Sequence, residues 1–259
     1  MATYLDRILA AHREKAAVDP RSVETLLNAI SGSPRPRGFR QALAGADGLG
    51  VIAEVKRRSP SKGDLAPNLD PADLARQYSA GGATCLSVLT DEDFFGGSAD
   101  DLATARGAVD IPVLRKDFTV SELDVLDARH MGADAVLLIA AALDDHELRA
   151  FHELATDVGL DALVEIHDEP ELERALAVGA TLIGVNQRDL VTFEVDTDRA
   201  VRMAPLMPDG VVRVAESGVR DANDAARLAA AGYHAVLVGE SLVTSGDPRS
   251  AVAALRSAG

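Results

Sequence analysis

The stretch "VIAEVKRRSPSKGDL" (Val51–Leu65), continued by "DPADLARQYSAGG" (Asp70–Gly82) and "ATCLSVLT" (Ala83–Thr90), reads as strand, loop, helix and strand. The first run opens with the small and β-branched apolar residues of a buried strand. The second has Asp where an N-cap belongs, apolar residues at helical spacing, and Gly-Gly at its end. The third is again a short apolar run. The same unit recurs along the chain. Strand-like runs stand at "LGVIAEVK", "ATCLSVLT", "IPVLRKD", "DAVLLIA", "ALVEIH", "LIGVNQ", "VVRVAES" and "AVLVGE", with an amphipathic segment after each. Strict alternation predicts an all-parallel sheet covered by helices. Eight such pairs in the roughly 210 residues after position 48 predict closure into a (β/α)8 TIM barrel. An open doubly wound sheet is the alternative, but the first strand is not followed by a Gly-rich dinucleotide fingerprint.

Residues 1–47 stand outside this alternation. "YLDRILAAHREKA" (4–16) sets Leu5, Ile8, Leu9 and His12 on one helical stripe, and "VETLLNAI" (23–30) forms a second helix. "SGSPRPRGFRQALAG" (31–45) reads as a Pro- and Gly-broken connector. Too short for a core of its own, this segment is expected as an N-terminal helical extension packed on the barrel, within one domain spanning 1–259. His12 is expected as a packed residue and not a ligand.

Composition narrows the function classes. The 259 residues are 47% apolar and 26% charged, as in ordinary globular proteins. No apolar run approaches the roughly 18 residues that span a bilayer. The start, "MATYLDRILAAHREKAA", lacks a signal-peptide layout, so a cytoplasmic location is expected. A formal net charge of −15 argues against nucleic acid or an anionic membrane as partner. It leaves room for a small anionic ligand in a locally basic pocket. The single cysteine, Cys85, excludes an internal disulfide and reads as a buried thiol. Of 26 basic residues only Lys15, Lys56, Lys62 and Lys116 are lysines. Lysine, unlike arginine, readily exchanges its proton in a low-dielectric site. Lysines kept at strand ends in so Arg-biased a chain therefore point to proton transfer or a compact charge.

The charges that interrupt the strands share a phase. On the first strand Ile52, Glu54 and Lys56 lie on one face, Ala53 and Val55 on the other. If the apolar pair faces the helices, Glu54 and Lys56 point into the barrel near its C-terminal rim, where this fold carries its chemistry. Lys116 is in phase with Leu114, Glu165 with Leu163 and Asn186 with Gly184, while Glu216 and Ser217 end the seventh strand. So many charges at one rim are costly for stability alone. Carboxylates beside lysines push one another's pKa values apart, which supplies an acid and a base. His167, two beyond Glu165, could join them; a loop-edge role is expected, and no metal, since no other His, Cys or carboxylate stands at ligand spacing. His130, His146, His152 and His234 are expected at the surface. "ESGVRDANDAARL" (216–228) and "GESLVTSGDP" (239–248) each turn at Gly beside a helix start, after strands seven and eight, where barrels bind phosphate.

The run of motifs "IAEVKRRSPSKG", "LSVLTDEDFFGGS", "LRKDF", "ADAVLLI", "LVEIHDEPEL", "IGVNQRDL", "VAESGV" and "VLVGESL" resembles, in order and from the N-terminal helices to the last strand, the indole-3-glycerol-phosphate synthase family. The resemblance implies a (β/α)8 barrel with an N-terminal extension, acting without a cofactor. It implies conversion of 1-(2-carboxyphenylamino)-1-deoxyribulose 5-phosphate to indole-3-glycerol phosphate, CO₂ and water in tryptophan synthesis. By the same resemblance Lys116 is the acid at ring closure, and Lys56 lies near the carboxylate as a second proton donor. Glu165 is the acid/base in dehydration. Glu54 tunes the lysines, and Asn186 positions substrate hydroxyls with Ser217 and Glu216 close by. Ser59 and Pro60 shape the first loop. Phe95, Phe118, Leu137, Leu163 and Leu190 form an apolar wall, and Arg188 helps hold the anionic end. Phosphate contacts fall to Lys56, Gly218, Gly239 and the amide of Glu240, whose side chain, Ser in some relatives, is expected to turn away. The expected partner is a small anionic sugar phosphate, and the chain itself a monomer or weak homo-oligomer.

Three other readings remain open at this level. Lys116 could be a Schiff-base nucleophile, the barrel could be another sugar-phosphate isomerase, or the chain could bind a phosphometabolite without turning it over.

Overall fold

The computed structural model describes residues 3–60 and 62–258. Eight parallel strands close on themselves: β1 (Gly50–Val55), β2 (Cys85–Leu89), β3 (Val113–Lys116), β4 (Ala135–Ile139), β5 (Asp161–Ile166), β6 (Leu182–Asn186), β7 (Val212–Glu216) and β8 (Ala235–Val238). Each pairs with its neighbours in sequence, and β8 pairs back onto β1 with Gly50 opposite Ala235. The (β/α)8 barrel expected from the eightfold alternation is therefore the fold.

The period-two reading of β1 holds for its neighbours. Ile52, Leu114, Leu137, Leu163, Val214 and Leu237 meet inside the barrel. Val51, Ala53, Val88, Val136, Val164 and Val236 face the surrounding helices. Because the two sets alternate strictly, a polar residue two positions beyond an inward apolar one also points inward, one layer nearer the C-terminal rim.

The helices begin where their caps dictate. Asp70 caps α4 (Pro71–Ala80) through the N–H groups of Ala72 and Asp73, and Ser98 caps α6 (Ala99–Ala108). Ser121 and Asp124 form a capping box on α7 (Glu122–His130), as Asp144 and Glu147 do on α8 (Asp145–Asp157). Asp168, Asp221 and Asp247 cap α9 (Glu169–Ala177), α11 (Ala222–Ala230) and α13 (Pro248–Arg256). Gly132, at φ +87°, turns the chain from α7 into β4, a conformation that side-chain-bearing residues rarely adopt. Arg199–Met203 and Glu240–Val243 form the short α10 and α12, and Glu92–Phe95 forms the short α5. Arg58–Ser59 pairs antiparallel with Gly63–Asp64, so the loop after β1 is a small hairpin. Among the described residues, no helix is long and apolar enough to cross a membrane.

Three helices precede β1. α1 (Tyr4–Ala17) lies across the C-terminal mouth. Arg13 binds Glu147 at 2.7 Å and the Ala142 carbonyl at 3.1 Å, Lys15 binds Asp93 at 2.8 Å, and His12 meets Asp91 at 2.8 Å. α2 (Val23–Ile30) packs Leu26 and Ile30 against Leu126 of α7. The third is a correction: the tract expected as a broken connector contains α3 (Phe39–Ala44). Phe39 and Leu43 plug the N-terminal end of the barrel, against Cys85, Ala135, Leu182 and Ala235. Two carboxylates hold the plug, since the buried Asp134 accepts the Arg37 N–H and the half-buried Asp161 the Arg40 N–H. The Pro and Gly residues hid this helix because its apolar residues are few and its partners lie far along the chain. Cys85 is fully buried against the Phe39 carbonyl, and burial raises its thiol pKa, as expected of a core thiol.

Phe39 is 0% exposed and packs into the N-terminal end of the barrel interior. We expect Phe39→Ala to lower unfolding free energy by about 3–5 kcal/mol, measured by denaturant titration, while leaving the barrel's far-UV circular dichroism intact.

Candidate active site

The C-terminal mouth encloses a cavity of about 860 Å³. Its floor is the charged layer that the strand phases predicted. Lys116, at the end of β3, reaches between two carboxylates, 3.0 Å from Glu165 Oε2 and 3.5 Å from Glu216 Oε2. Opposite them Lys56 Nζ lies 2.5 Å from Glu54 Oε1. Asn186 donates through Nδ2 to Glu165 Oε1 at 2.9 Å and accepts the Arg188 N–H at 3.0 Å. Glu54, Glu165 and Glu216 are nearly inaccessible, and Glu165 is 1% exposed.

Two glycines make this layer possible. A Cβ at Gly184 would overlap Glu216 Oε1, and one at Gly239 would overlap Glu54 Oε1 and crowd Lys56 Nζ. Gly184 and Gly239 thus leave the volume that the carboxylates of the neighbouring strands occupy. This is a close approach rather than a turn, since neither glycine is among those at positive φ.

The groups settle into different protonation states. Burial opposes the charge of Lys116, but Glu165, Glu216 and Glu54 outweigh it and hold the ammonium above its ordinary pKa. Burial also pushes Glu165 up, yet Lys116, His167 and the Asn186 amide prevail and hold it below the usual carboxylate range. Glu216 goes the other way. Burial, then the repulsion of Glu165 and Glu54, defeat the attraction of Lys116 and push it up to about 8. One lysine therefore sits between an ionised carboxylate and a protonated one, a division of labour that suits acid–base chemistry.

Above this floor the cavity has an apolar side and an amide-rich side. Phe95, Phe118, Leu137 and Leu190 line it, with Phe95 and Phe118 ring centroids 6.1 Å apart. Leu163 does not. It is fully buried in the barrel interior, level with Leu137 in the strand register and one layer beneath Glu165. The phase of β5 sends Leu163 inward, but Glu165, the next inward residue of that strand, lines the cavity in its place. Ser59, Pro60 and Arg188 line the mouth, Arg188 also donating to the Phe193 carbonyl at 3.1 Å. On the other side stand Ser217, Gly218, Gly239 and Glu240. Ser217 and Gly218 both have positive φ, +64° and +77°. The N–H groups of Glu240 and Ser241 precede the first backbone bonds of α12, which Leu242 and Val243 donate to the Gly239 carbonyl. The Glu240 carboxylate lies 3.8 Å from Lys62 Nζ, both partly exposed, so its charge is partnered at the rim.

Several lining residues escaped the sequence reading. Tyr4, Leu5 and Ile8 of α1 form a roof. The Tyr4 ring meets Phe94 and Phe193 edge-on, at 6.0 and 5.6 Å. The Leu5–Ile8 stripe was visible as an apolar face, but nothing local says that it faces a cavity. His12, expected as a packed residue, packs on Phe118 with ring centroids 5.5 Å apart, and also joins Asp91 and Asp117. These three are spaced as metal ligands could be, a grouping that sequence spacing missed. Their oxygens are already engaged: Asp91 accepts from Phe94 and Phe95, and Asp117 from Thr90, Arg115 and Phe118. His167 stands at the edge of the loop after β5, as expected, but is mostly buried, with Nε2 3.7 Å from Glu165 Oε1. His234 is half-buried too, its Nδ1 accepting the Arg213 N–H, and so departs from the surface position expected of it.

An eight-stranded parallel barrel with buried lysine–carboxylate pairs at its C-terminal mouth defines a protein of the TIM-barrel class, with its polar cavity at the end where that fold carries its chemistry. The comparisons with known proteins agree. The family model described as indole-3-glycerol phosphate synthase matches residues 5–255. A relative of that name from Nocardioides sp. is 54% identical over 250 residues, 95% of this chain and 93% of the relative. Another from Mycolicibacterium vanbaalenii is 52% identical over 260 residues, 100% of this chain and 95% of the relative. Thiamine phosphate pyrophosphorylase from Pyrococcus furiosus superposes with a TM-score of 0.62 at 18% identity, over 81% of this chain and 95% of that one, a likeness of fold alone. The chain belongs to the indole-3-glycerol phosphate synthase family, carboxy-lyases of tryptophan biosynthesis.

The charge state of Glu216 fixes a pH dependence. The unfolded group releases its proton near its ordinary 4.5 and the native one near 8. Between these values the native state holds the extra proton, so stability falls as pH rises through the window. Glu216→Gln, which stays neutral, is expected to raise the thermal midpoint above wild type at pH 8.5, with the difference shrinking toward pH 5. Calorimetry at the two pH values measures it.

Proposed function

We propose that this chain closes the indole ring of indole-3-glycerol phosphate from 1-(2-carboxyphenylamino)-1-deoxyribulose 5-phosphate, releasing CO₂ and water, by lysine–glutamate acid–base catalysis. The observation that carries the reading is the Lys116 ammonium held between Glu165 and Glu216 on the cavity floor. Ring closure needs a proton at the ribulose carbonyl oxygen as the aromatic carbon bearing the carboxylate attacks. Lys116, kept protonated by its carboxylates, is that donor. Lys56 lies where a cation stabilises the leaving carboxylate, with Glu54 orienting it, and is a second donor for the departing hydroxyl. Loss of CO₂ returns its bonding electrons to the ring. Dehydration then expels the new hydroxyl as water with a donated proton, while the ionised Glu165 removes a proton to restore the aromatic system.

Binding follows the two sides of the cavity. The anthranilate ring lies along Phe95, Phe118, Leu137 and Leu190, with Ser59 and Pro60 at the first loop. The phosphate takes Lys56 and backbone N–H groups at Gly218, Gly239 and Glu240, and Arg188 assists at the anionic end. Asn186, Ser217 and Glu216 hold the sugar hydroxyls. The charge state of Lys116 speaks against the Schiff-base alternative, since a nucleophilic amine must be neutral and the carboxylates around it, Glu165 first, hold this one charged.

With no tryptophan in the chain, indole fluorescence reports product against a faint background. Lys116→Ala is expected to remain folded and ligand-binding while product formation falls by about 10²–10⁴. Near-normal turnover would remove Lys116 from the mechanism, and substrate captured on Lys116 by borohydride would replace it with covalent catalysis.

A further inference from the structure

His167 does not line the cavity and takes no part in the chemistry above, yet it is 12% exposed and directed at the Glu165 carboxylate. Its Nδ1 lies 3.1 Å from Glu171 Oε2, on the first turn of α9, and the same oxygen accepts the His167 N–H at 2.7 Å. Its Nε2 is buried, without a hydrogen-bond partner among the described residues, and 3.7 Å from Glu165 Oε1. The Glu171 carboxylate can only accept, so Nδ1 carries a proton. Were Nε2 bare, its lone pair would face a buried carboxylate. Protonated on both nitrogens, the ring sets a cation between two carboxylates and aims an N–H at Glu165. Burial and Arg199 oppose the charged ring, and Glu171 with Glu165 outweighs them, leaving its pKa above the ordinary value. The remaining polar neighbours on this side are Lys116 and Asn186, both bound to Glu165, and Arg199, which donates to the Asn186 carbonyl at 2.9 Å.

The consequence concerns the moment of reaction. At rest Glu165 is held by Lys116 on one oxygen and by Asn186 on the other. In the mechanism proposed above, on which this inference rests, Lys116 gives up its proton and Asn186 turns to a substrate hydroxyl. Glu165 then loses both supports just before it must act as a base. His167 is the remaining donor, and the gap from 3.7 Å to a hydrogen bond closes with a sub-ångström shift. We infer that His167 is a positioning residue for Glu165: an imidazolium anchored by Glu171 that keeps the carboxylate ionised and aligned while substrate occupies Lys116 and Asn186.

The test follows kcat and KM from pH 5 to 9 by indole fluorescence in His167→Gln, His167→Phe, Glu171→Gln and Glu165→Gln. For His167→Gln we expect kcat at pH 7 to fall about tenfold with KM little changed, and the acidic limb of the kcat profile to move up by about one unit, because Glu165 loses a nearby cation. Glu171→Gln should move the limb the same way by less. His167→Phe should be worse than His167→Gln, whereas a packing role predicts the reverse. Wild-type kcat and an unmoved acidic limb in both His167→Gln and Glu171→Gln would overturn the inference. If His167→Gln does not fold, Glu171→Gln decides alone. Wild-type turnover by Glu165→Gln would instead bring down the assignment of Glu165 itself, whereas an inactive Glu165→Gln with unmoved limbs in the other variants would remove only the role of His167.

Discussion

Burying a lysine between carboxylates is the constraint around which this barrel is built. Neither Lys116 nor Glu165 could hold its charge alone at such depth, where desolvation of an isolated ion costs several kcal/mol or more. Together with Glu216, Lys56 and Glu54 they form a layer in which each charge is partnered within a few ångströms. The surplus of carboxylate is relieved by a proton on Glu216 rather than by a further cation. The arrangement thus sets a charged lysine beside an ionised and a protonated carboxylate on one cavity floor.

Keeping that layer in place requires support from below and from the sides. The apolar interior ends one layer beneath it, at Leu114, Leu163 and Val214, and α3 closes the opposite end with Phe39 and Leu43. Gly184 and Gly239 provide room for carboxylates that arrive from adjacent strands, so the absence of a side chain on one strand is what positions a charge on the next. Above, α1 roofs the mouth through Tyr4, Leu5 and Ile8 and is tied to the βα loops by Arg13, His12 and Lys15. Three of the tied partners, Asp91, Asp93 and Glu147, stand near the starts of helices that follow barrel strands. The N-terminal segment therefore serves the barrel at both ends, as plug and as roof.

Much of this was legible in the chain. The inward phase of Glu54, Lys116, Glu165 and Asn186 followed from counting by twos from apolar neighbours, and the structure brings all four to one cavity. The same counting sent Leu163 inward, as the structure has it, but parity alone does not say which inward residues reach the cavity. It passed over the His12–Asp91–Asp117 group, whose members approach from different elements and carry no common period. The connector at 31–45 looked featureless for the same reason: Phe39 matters through Cys85, Ala135 and Leu182, dozens of residues away.

The amino-acid sequence by itself determined the eightfold strand–helix alternation, the inward or outward direction of each strand residue, and the helix starts at their Ser and Asp caps. These rest on periods of 2 and 3.6 residues and on capping within one turn, all of them local properties of the backbone. Only the tertiary structure decided the height of each group in the barrel, the glycine-made space for Glu54 and Glu216, and the placement of α1 and α3 at opposite ends. Those depend on strand stagger and closure, which couple residues far apart in the chain and leave no periodic trace in it.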